Sequence, residues 1–169
     1  MKLIYLTTMT ALALMFAAPA IGQVIDPAKV KFNGVGLDST YSQVVKALGK
    51  PATEGKAKPE ECIGGHEKSV TYPGLSIYFM DGDSRSGTTF EVKSFEITTA
   101  RWIVSGVKVG DTEALVRRKF GRKYMVDSDP ETGDKVWQYE MSDRHGPGKT
   151  SVSFKNGKVV SIASSYQVC

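Results

Sequence analysis

The residues with the most reactive side chains are few and widely spaced in this chain of 169 residues. Its cysteines and histidines are Cys62, His66, His145 and Cys169. A zinc site needs such residues at short, regular spacing, and a catalytic cysteine needs a histidine that the fold brings beside it. Only Cys62 and His66 are close in sequence, so we predict neither a metal site nor a cysteine nucleophile.

Two acidic segments have carboxylates at alternate positions, as calcium loops do. In Asp81-Gly-Asp83-Ser-Arg85, the twelfth position is Val92 instead of the bidentate glutamate that calcium requires. In Asp127-Ser-Asp129-Pro-Glu131, Thr132 replaces the necessary glycine, which favours a turn. We therefore predict no catalytic residues, no metal and no cofactor.

The composition is typical of a folded domain. Hydrophobic residues make up 41% and charged residues 24% of the chain, which excludes a disordered chain, a collagen-like chain and a multi-pass membrane protein. The net charge of +4 is too small to indicate a nucleic-acid partner, and we predict none.

The first residues, 1–22, have the pattern of a secretory signal peptide. Lys2 supplies a positive start, an apolar run follows to Ala18, and small residues offer cleavage near Ala20 or Gly22. The run is short for the alternative, an uncleaved membrane anchor. No cysteine follows it, so a lipoprotein is not expected. The sequence predicts a periplasmic or secreted protein.

Export places the two cysteines in an oxidising compartment, where an even number indicates disulfide bonding. We predict one disulfide between Cys62 and Cys169; the alternative is two unpaired thiols. Closing a loop of about 100 residues stabilises the fold by roughly 4–5 kcal/mol in the chain-entropy model.

One segment of the chain is repeated. Gly34-Val-Gly-Leu-Asp-Ser-Thr-Tyr-Ser-Gln-Val-Val-Lys-Ala-Leu-Gly49 aligns without a gap with Gly106-Val-Lys-Val-Gly-Asp-Thr-Glu-Ala-Leu-Val-Arg-Arg-Lys-Phe-Gly121. Each copy predicts a short helix that a glycine ends. The candidate N-caps are Ser39 or Thr40 in the first copy and Asp111 or Thr112 in the second. Helices this short need a surface on which to pack.

Strand patterns follow each helix, with alternation at Leu75/Ile77/Phe79 and Val152/Phe154 and a hairpin turn at Asn156-Gly157. We therefore predict an α+β fold of two tandem units, each with short helices packed on a small antiparallel sheet. After the signal peptide, the first unit spans residues 23–100 and the second spans residues 101–169.

The second helical string, together with Val136-Trp-Gln-Tyr139 and residues 152–160, resembles the BamE/SmpA/OmlA family. Two such units in one exported chain are also similar in architecture to β-lactamase inhibitory protein. The resemblance implies helix-plus-sheet units in tandem and a role in binding other proteins without catalysis. This chain differs from both groups, because it lacks a lipid-bearing cysteine and can form only one disulfide.

Large amphipathic side chains on the predicted strands are candidates for partner binding: Tyr72, Tyr78, Trp137, Tyr139 and Tyr166. The alternative is that they pack in the core. Two polar hairpin loops, residues 81–88 and 142–149, are expected to protrude. Their candidate contact residues are Asp81, Asp83, Arg85, Arg144 and His145, for which ordinary solvated loops are the alternative.

The sequence favours an exported, non-enzymatic module that docks on an envelope protein or a secreted enzyme through sheet faces and hairpin loops. One alternative is an inhibitor of a secreted hydrolase such as a β-lactamase, with Asp81 and Asp83 entering the target. Another is an outer-membrane assembly factor of BamE type, with the basic helix end at 117–119 against lipid or a barrel protein. Membrane contact is peripheral at most in any of these.

Overall fold

The computed structural model describes residues 25–62, 64–81, 89–143 and 146–167. The predicted signal peptide lies outside the described residues. In chain order these residues form a 3₁₀ turn (Pro27–Lys29), β1 (Lys31–Phe32), β2 (Val35–Gly36), α1 (Tyr41–Leu48), β3 (Thr53–Glu54), β4 (Lys58–Pro59), β5 (His66–Tyr72), β6 (Leu75–Asp81), β7 (Phe90–Ile97), α2 (Glu113–Phe120), β8 (Met125–Ser128), β9 (Lys135–Asp143), β10 (Gly146–Lys155) and β11 (Lys158–Tyr166).

Apart from the β1–β2 hairpin, the described strands join one antiparallel sheet of nine strands. Its order is β3-β5-β6-β7-β11-β10-β9-β8, and β4 also pairs with β5. The centre of the sheet is the pairing of β7 with β11, which runs from Ile97 opposite Ile162 to Ser94 opposite Ser165. The sheet is therefore continuous across the two predicted units.

The predicted fold of two tandem units, each with its own sheet, is therefore wrong. The last strands of both units pair with each other, because separate sheets would leave two edges of unpaired backbone groups exposed. One hydrophobic cluster extends across both predicted units, from Val70 on β5 to Tyr139 on β9. The protein is a single sheet-rich domain with two short helices. The boundary predicted between residues 100 and 101 falls in the connection from β7 to α2.

Both helices lie on the same face of the sheet, which we call the covered face. Val44 of α1 and Val116 of α2 are fully buried in the common core. Phe32, from the β1–β2 hairpin, packs edge-on against Phe95 and Trp102 at centroid distances of 4.8 and 6.1 Å. The covered face therefore contains the apolar residues that alternate along the strands.

The predicted helix ends are confirmed. Thr40 and Thr112 are the N-caps, and Thr40 forms a reciprocal capping box with Gln43. Gly49 and Gly121 end the helices with φ of 83° and 95°, a backbone conformation that glycine adopts without strain. These local interactions fix where each eight-residue helix begins and ends.

Two tyrosines attach the ends of the helices to the sheet. The Tyr72 hydroxyl donates to the Gly49 carbonyl at 2.9 Å, and the Tyr139 hydroxyl lies 3.5 Å from the Gly121 carbonyl. Carbonyls at a helix C-terminus lack partners within the helix, so a donor from the sheet both satisfies them and positions the helix.

The two predicted hairpins differ in outcome. At Asn156-Gly157 both residues have positive φ, 52° and 72°, which confirms the two-residue turn between β10 and β11. The predicted polar loop of residues 142–149 is largely strand, because β9 continues to Asp143 and β10 starts at Gly146. Neighbouring strands on both sides of β10 support this extension by continuing the backbone ladder.

A lysine anchors α1 to the sheet near the β3 edge. The Lys68 side chain is only 10% exposed, and its Nζ lies 3.3 Å from the Tyr41 ring centre and 3.0 Å from a Glu54 carboxylate oxygen. The Tyr41 hydroxyl donates to the other Glu54 oxygen at 2.7 Å. The hydrogen bond to Glu54, together with desolvation, raises the pKa of Tyr41 to about 12.

This arrangement predicts a loss of stability in alkali. The pKa of Tyr41 is higher in the folded state than its ordinary value of 10.0, so its hydroxyl contributes stability below pH 10 that is lost as the pH rises toward 12. The difference in unfolding free energy between wild type and Tyr41→Phe should be constant below pH 9 and shrink between pH 10 and 12. Urea denaturation across this range tests it, and a difference that does not change with pH would contradict it.

Trp137 gives a test of the core. Its ring stacks on Tyr124 at 4.1 Å and packs on Phe154 at 4.5 Å, and the residue is 1% exposed. Trp137→Ala should lower the unfolding free energy by about 3–5 kcal/mol in urea denaturation. Val126 lies opposite Trp137 on β8 and is 65% exposed, so Val126→Ala should change it by no more than about 0.5 kcal/mol. Equal effects of the two substitutions would rule out this core.

Candidate binding surface

The second face of the sheet, which we call the open face, has a different composition. Side chains opposite each other in the ladder share a face, so the register defines rows that cross six strands from β9 to β5. One row is Glu140, Lys149, Ser165, Ser94, Tyr78 and Ser69. The next is Gln138, Ser151, Ala163, Glu96, Ser76 and Thr71.

The centre of the open face is made of small side chains. Ser94, Ser151, Ala163 and Ser165 lie on the central strands and are partly exposed. Such side chains leave the pleated backbone accessible to a flat surface, and ordering them costs little conformational entropy. In the two rows the charged residues are Glu140 and Lys149 at the β9 end and Glu96 on β7.

A cleft of about 560 Å³ adjoins the first row at its β9 end. Glu140, Lys149 and Ser165 belong to both the row and the cleft, and Met125 of β8 supplies an apolar wall that is 53% exposed. Exposed apolar area beside a polar rim is the usual composition of a contact site. The cleft therefore extends the open face toward the exposed β8 edge.

The two rows carry charge of both signs, with Glu96 and Glu140 against Lys149. Glu67 pairs with Lys58 at 2.7 Å and Glu91 pairs with Lys93 at 2.9 Å. Within the described residues, Glu96 and Glu140 have no ion-pair partner. Their charge is therefore available to hydrogen-bond donors on a bound molecule.

Tyr78 is the one predicted aromatic contact that lies on the open face. Its hydroxyl donates to Glu67, whose carboxylate also binds Lys58. Burial, and after it the hydrogen bond to Glu67, raise the pKa of Tyr78 well above its ordinary value, so the ring stays neutral. The Lys58 and Tyr78 hydrogen bonds lower the pKa of Glu67. Tyr78 thus has a fixed orientation at the edge of the serine rows.

The other four aromatic candidates lie in the core, which is the alternative that the sequence left open. Tyr72, Trp137, Tyr139 and Tyr166 are all buried on the covered face. The Tyr166 hydroxyl donates to Asp38 at 2.6 Å, so its polar group is used inside the protein. Burial also raises the pKa of Tyr139.

The loop candidates are only partly described. Asp81 ends β6 and is buried, and it accepts hydrogen bonds from the backbone and ring of His66. Its role there is to fix the start of β5. Asp83, Arg85, Arg144 and His145 lie outside the described residues, so their roles stay predictions. Across residues 25–62, 64–81, 89–143 and 146–167, no group of three His, Cys, Asp or Glu residues is placed to hold a metal.

The serine rows were missed as a site, although the sequence contains their signal. Polar residues alternate with apolar ones along the predicted strands, and the polar positions include Ser76, Ser151, Ser153 and Ser161. Polar parity indicates only that a face is solvated. The β10–β11 hairpin brings Ser151, Ser153 and Ser161 together, but that Ser76 lies on the same continuous face depends on the pairing of β7 with β11, which no single strand pattern predicts.

Comparisons with known proteins do not assign the chain to a family. No family model matches the chain, and no curated protein matches its sequence. Among solved structures it is similar to an extracellular protein containing an SCP domain from Bacillus anthracis strain Ames, with a TM-score of 0.45, 9% identity, and coverage of 92% of this chain and 50% of that one. The chain thus spans about half the length of that protein, and a likeness this weak carries no argument.

The predicted resemblance to the BamE/SmpA/OmlA family and to β-lactamase inhibitory protein is wrong. No family model matches, and the structure has one sheet with two eight-residue helices instead of tandem helix-plus-sheet units. In the described part of the chain, neither helix is long and apolar enough to cross a membrane.

Proposed function

We propose that the protein is an exported, non-enzymatic module that binds another protein through the open face of its sheet. The observation that carries this proposal is the pair of serine-rich rows, which run across six strands and end in the cleft beside β8. Export rests on the signal pattern at residues 1–22, and the non-enzymatic part rests on the lack of a catalytic motif in the sequence.

The chemistry of the partner follows from the face. Small side chains admit a flat or gently convex surface, and Glu96 and Glu140 favour a partner with lysine, arginine or free backbone N–H donors. The exposed apolar side chain of Met125 can bury an apolar anchor of the partner in the cleft. Inhibition of a secreted hydrolase by the loop after Asp81 stays a prediction, because that loop lies outside the described residues.

Two variants, each with one alanine replaced by arginine, test the open face. Ala163 lies at its centre, opposite Ser151 and Glu96, whereas Ala47 is exposed on α1 on the other side of the molecule. In capture from periplasmic extract, Ala163→Arg should lower recovery of the bound protein by about tenfold or more, because the long side chain blocks close contact. Ala47→Arg should leave recovery unchanged.

Circular dichroism and thermal melting of both variants check that each is folded. Equal recovery with Ala163→Arg and wild type would remove the open face as the docking site. An equal loss of recovery with Ala163→Arg and Ala47→Arg would also remove the open face as the docking site, because the effect would then come from the added charge and not from its position.

The disulfide between Cys62 and Cys169 belongs to the same proposal, since an exported protein meets an oxidising compartment. The sheet topology supports it, because β5 begins and β11 ends at the same end of the sheet. Cys169 itself lies outside the described residues.

Thiol alkylation of the denatured mature protein tests the disulfide. We expect no labelled cysteine without reductant and two after reduction, because both thiols are held in one bond. As a control, Cys62→Ser should give one labelled cysteine without reductant. Two labelled cysteines in the unreduced wild type would contradict the pairing.

A further inference from the structure

The helix side of the molecule has a second concave surface, which we call the arginine pocket. It has a volume of about 640 Å³ and is lined by Ala114, Arg117, Arg118, Arg122 and Tyr124, at the C-terminal end of α2. Because α2 packs on the covered face, this pocket and the open face lie on opposite sides of the sheet. It plays no part in the proposed protein docking.

Two aromatic residues contact the Arg117 side chain, which lines the pocket and is 49% exposed. Its Nε donates to the Tyr124 hydroxyl at 3.0 Å, and its guanidinium lies 4.8 Å from the Trp137 ring centre. Tyr124 in turn stacks on Trp137. The guanidinium is therefore positioned before any ligand arrives, which reduces the entropy lost on binding.

The nearest acid leaves most donors of Arg117 unused. Glu113 is 3.9 Å from Arg117, beyond hydrogen-bond distance, and it accepts a hydrogen bond from Lys135 instead. Arg118 and Arg122 are exposed, and neither has a hydrogen-bond or ion-pair partner in the described part of the chain. Three guanidinium groups thus line one concavity, and the one carboxylate beside them in the described part of the chain, that of Glu113, is shared between a long ion pair with Arg117 and a hydrogen bond from Lys135.

The dipole of α2 does not account for this arrangement. Basic residues in the last turn of a helix gain about 0.3–1 kcal/mol from the dipole, which is sufficient reason for Arg117 and Arg118. Arg122 follows the terminating Gly121 and lies outside the helix, yet it lines the same pocket. The helix dipole places about half a negative charge at the C-terminus, which repels an anion. The positive charges of three guanidinium groups outweigh this repulsion.

We propose that the arginine pocket binds a phosphate group. A carboxylate has two oxygens and is satisfied by one guanidinium fork, whereas a phosphate has more acceptor oxygens and more charge for several forks to share. Ala114 and Tyr124 supply a less polar wall for the carbon part of a phosphate ester. The phosphate can belong to a free anion or to the headgroup of an anionic lipid.

The experiment uses the full mature chain with two probes: inorganic phosphate, and vesicles of phosphatidylcholine with or without phosphatidic acid. Arg118→Gln/Arg122→Gln should weaken binding by about tenfold or more, because two charge-assisted contacts are lost. Arg118→Lys/Arg122→Lys keeps the charge and loses the forks, so it should lie between that variant and wild type. Lys155→Gln/Lys158→Gln, at the exposed turn between β10 and β11, is the control with the same loss of charge.

Binding of both probes with this order of variants supports the proposal for any accessible phosphate. Binding only to vesicles that contain phosphatidic acid supports it with a lipid as the source. The proposal fails if neither probe binds, or if the arginine and lysine double glutamine variants weaken binding equally. Binding of polyglutamate without binding of either phosphate probe would also overturn it and would indicate an acidic peptide instead. Unchanged melting temperatures show that the exposed substitutions have not unfolded the protein.

Discussion

The pairing of β7 with β11 is the contact on which the rest of the structure depends. Only four residue pairs form it, from Ile97–Ile162 to Ser94–Ser165, yet they turn two sets of strands into one sheet. Ile97 and Ile162 point into the core, and Ser94 and Ser165 point to the open face. One pairing therefore produces both a common core and an uninterrupted outer surface.

A continuous sheet also explains how two eight-residue helices remain stable. Helices of this length are marginal alone, and each buries a fully enclosed valine, Val44 or Val116, against the same core. The hydroxyls of Tyr72 and Tyr139 reach the carbonyls of Gly49 and Gly121, where the two helices end. Both parts of each tyrosine are therefore used inside the protein, because the ring packs in the core and the hydroxyl donates to a carbonyl at the end of a helix.

Local interactions were predictable from the sequence, whereas the arrangement of strands was not. The threonine caps and the Asn156-Gly157 turn depend on residues three or fewer positions apart, so their patterns are visible in the sequence. Strand patterns indicate which residues alternate but not which edge meets which, and separate sheets were therefore as compatible with them as one sheet. The β8 strand was missed because all four of its residues are exposed and show no alternation.

The same limit applies to the two candidate sites. The basic run at 117–119 was visible, but the pocket also needs Arg122 and Tyr124, whose position beside the helix depends on the stacking of Tyr124 on Trp137. Trp137 and Gln138 are consecutive on β9, so one faces the helices and the other the open face. The Trp137 ring, which packs on Tyr124 and Phe154, lies between the arginine pocket and the open face. The core thus separates two surfaces on opposite sides of the sheet that differ in charge, because three arginines line the pocket whereas the two rows carry two glutamates and one lysine.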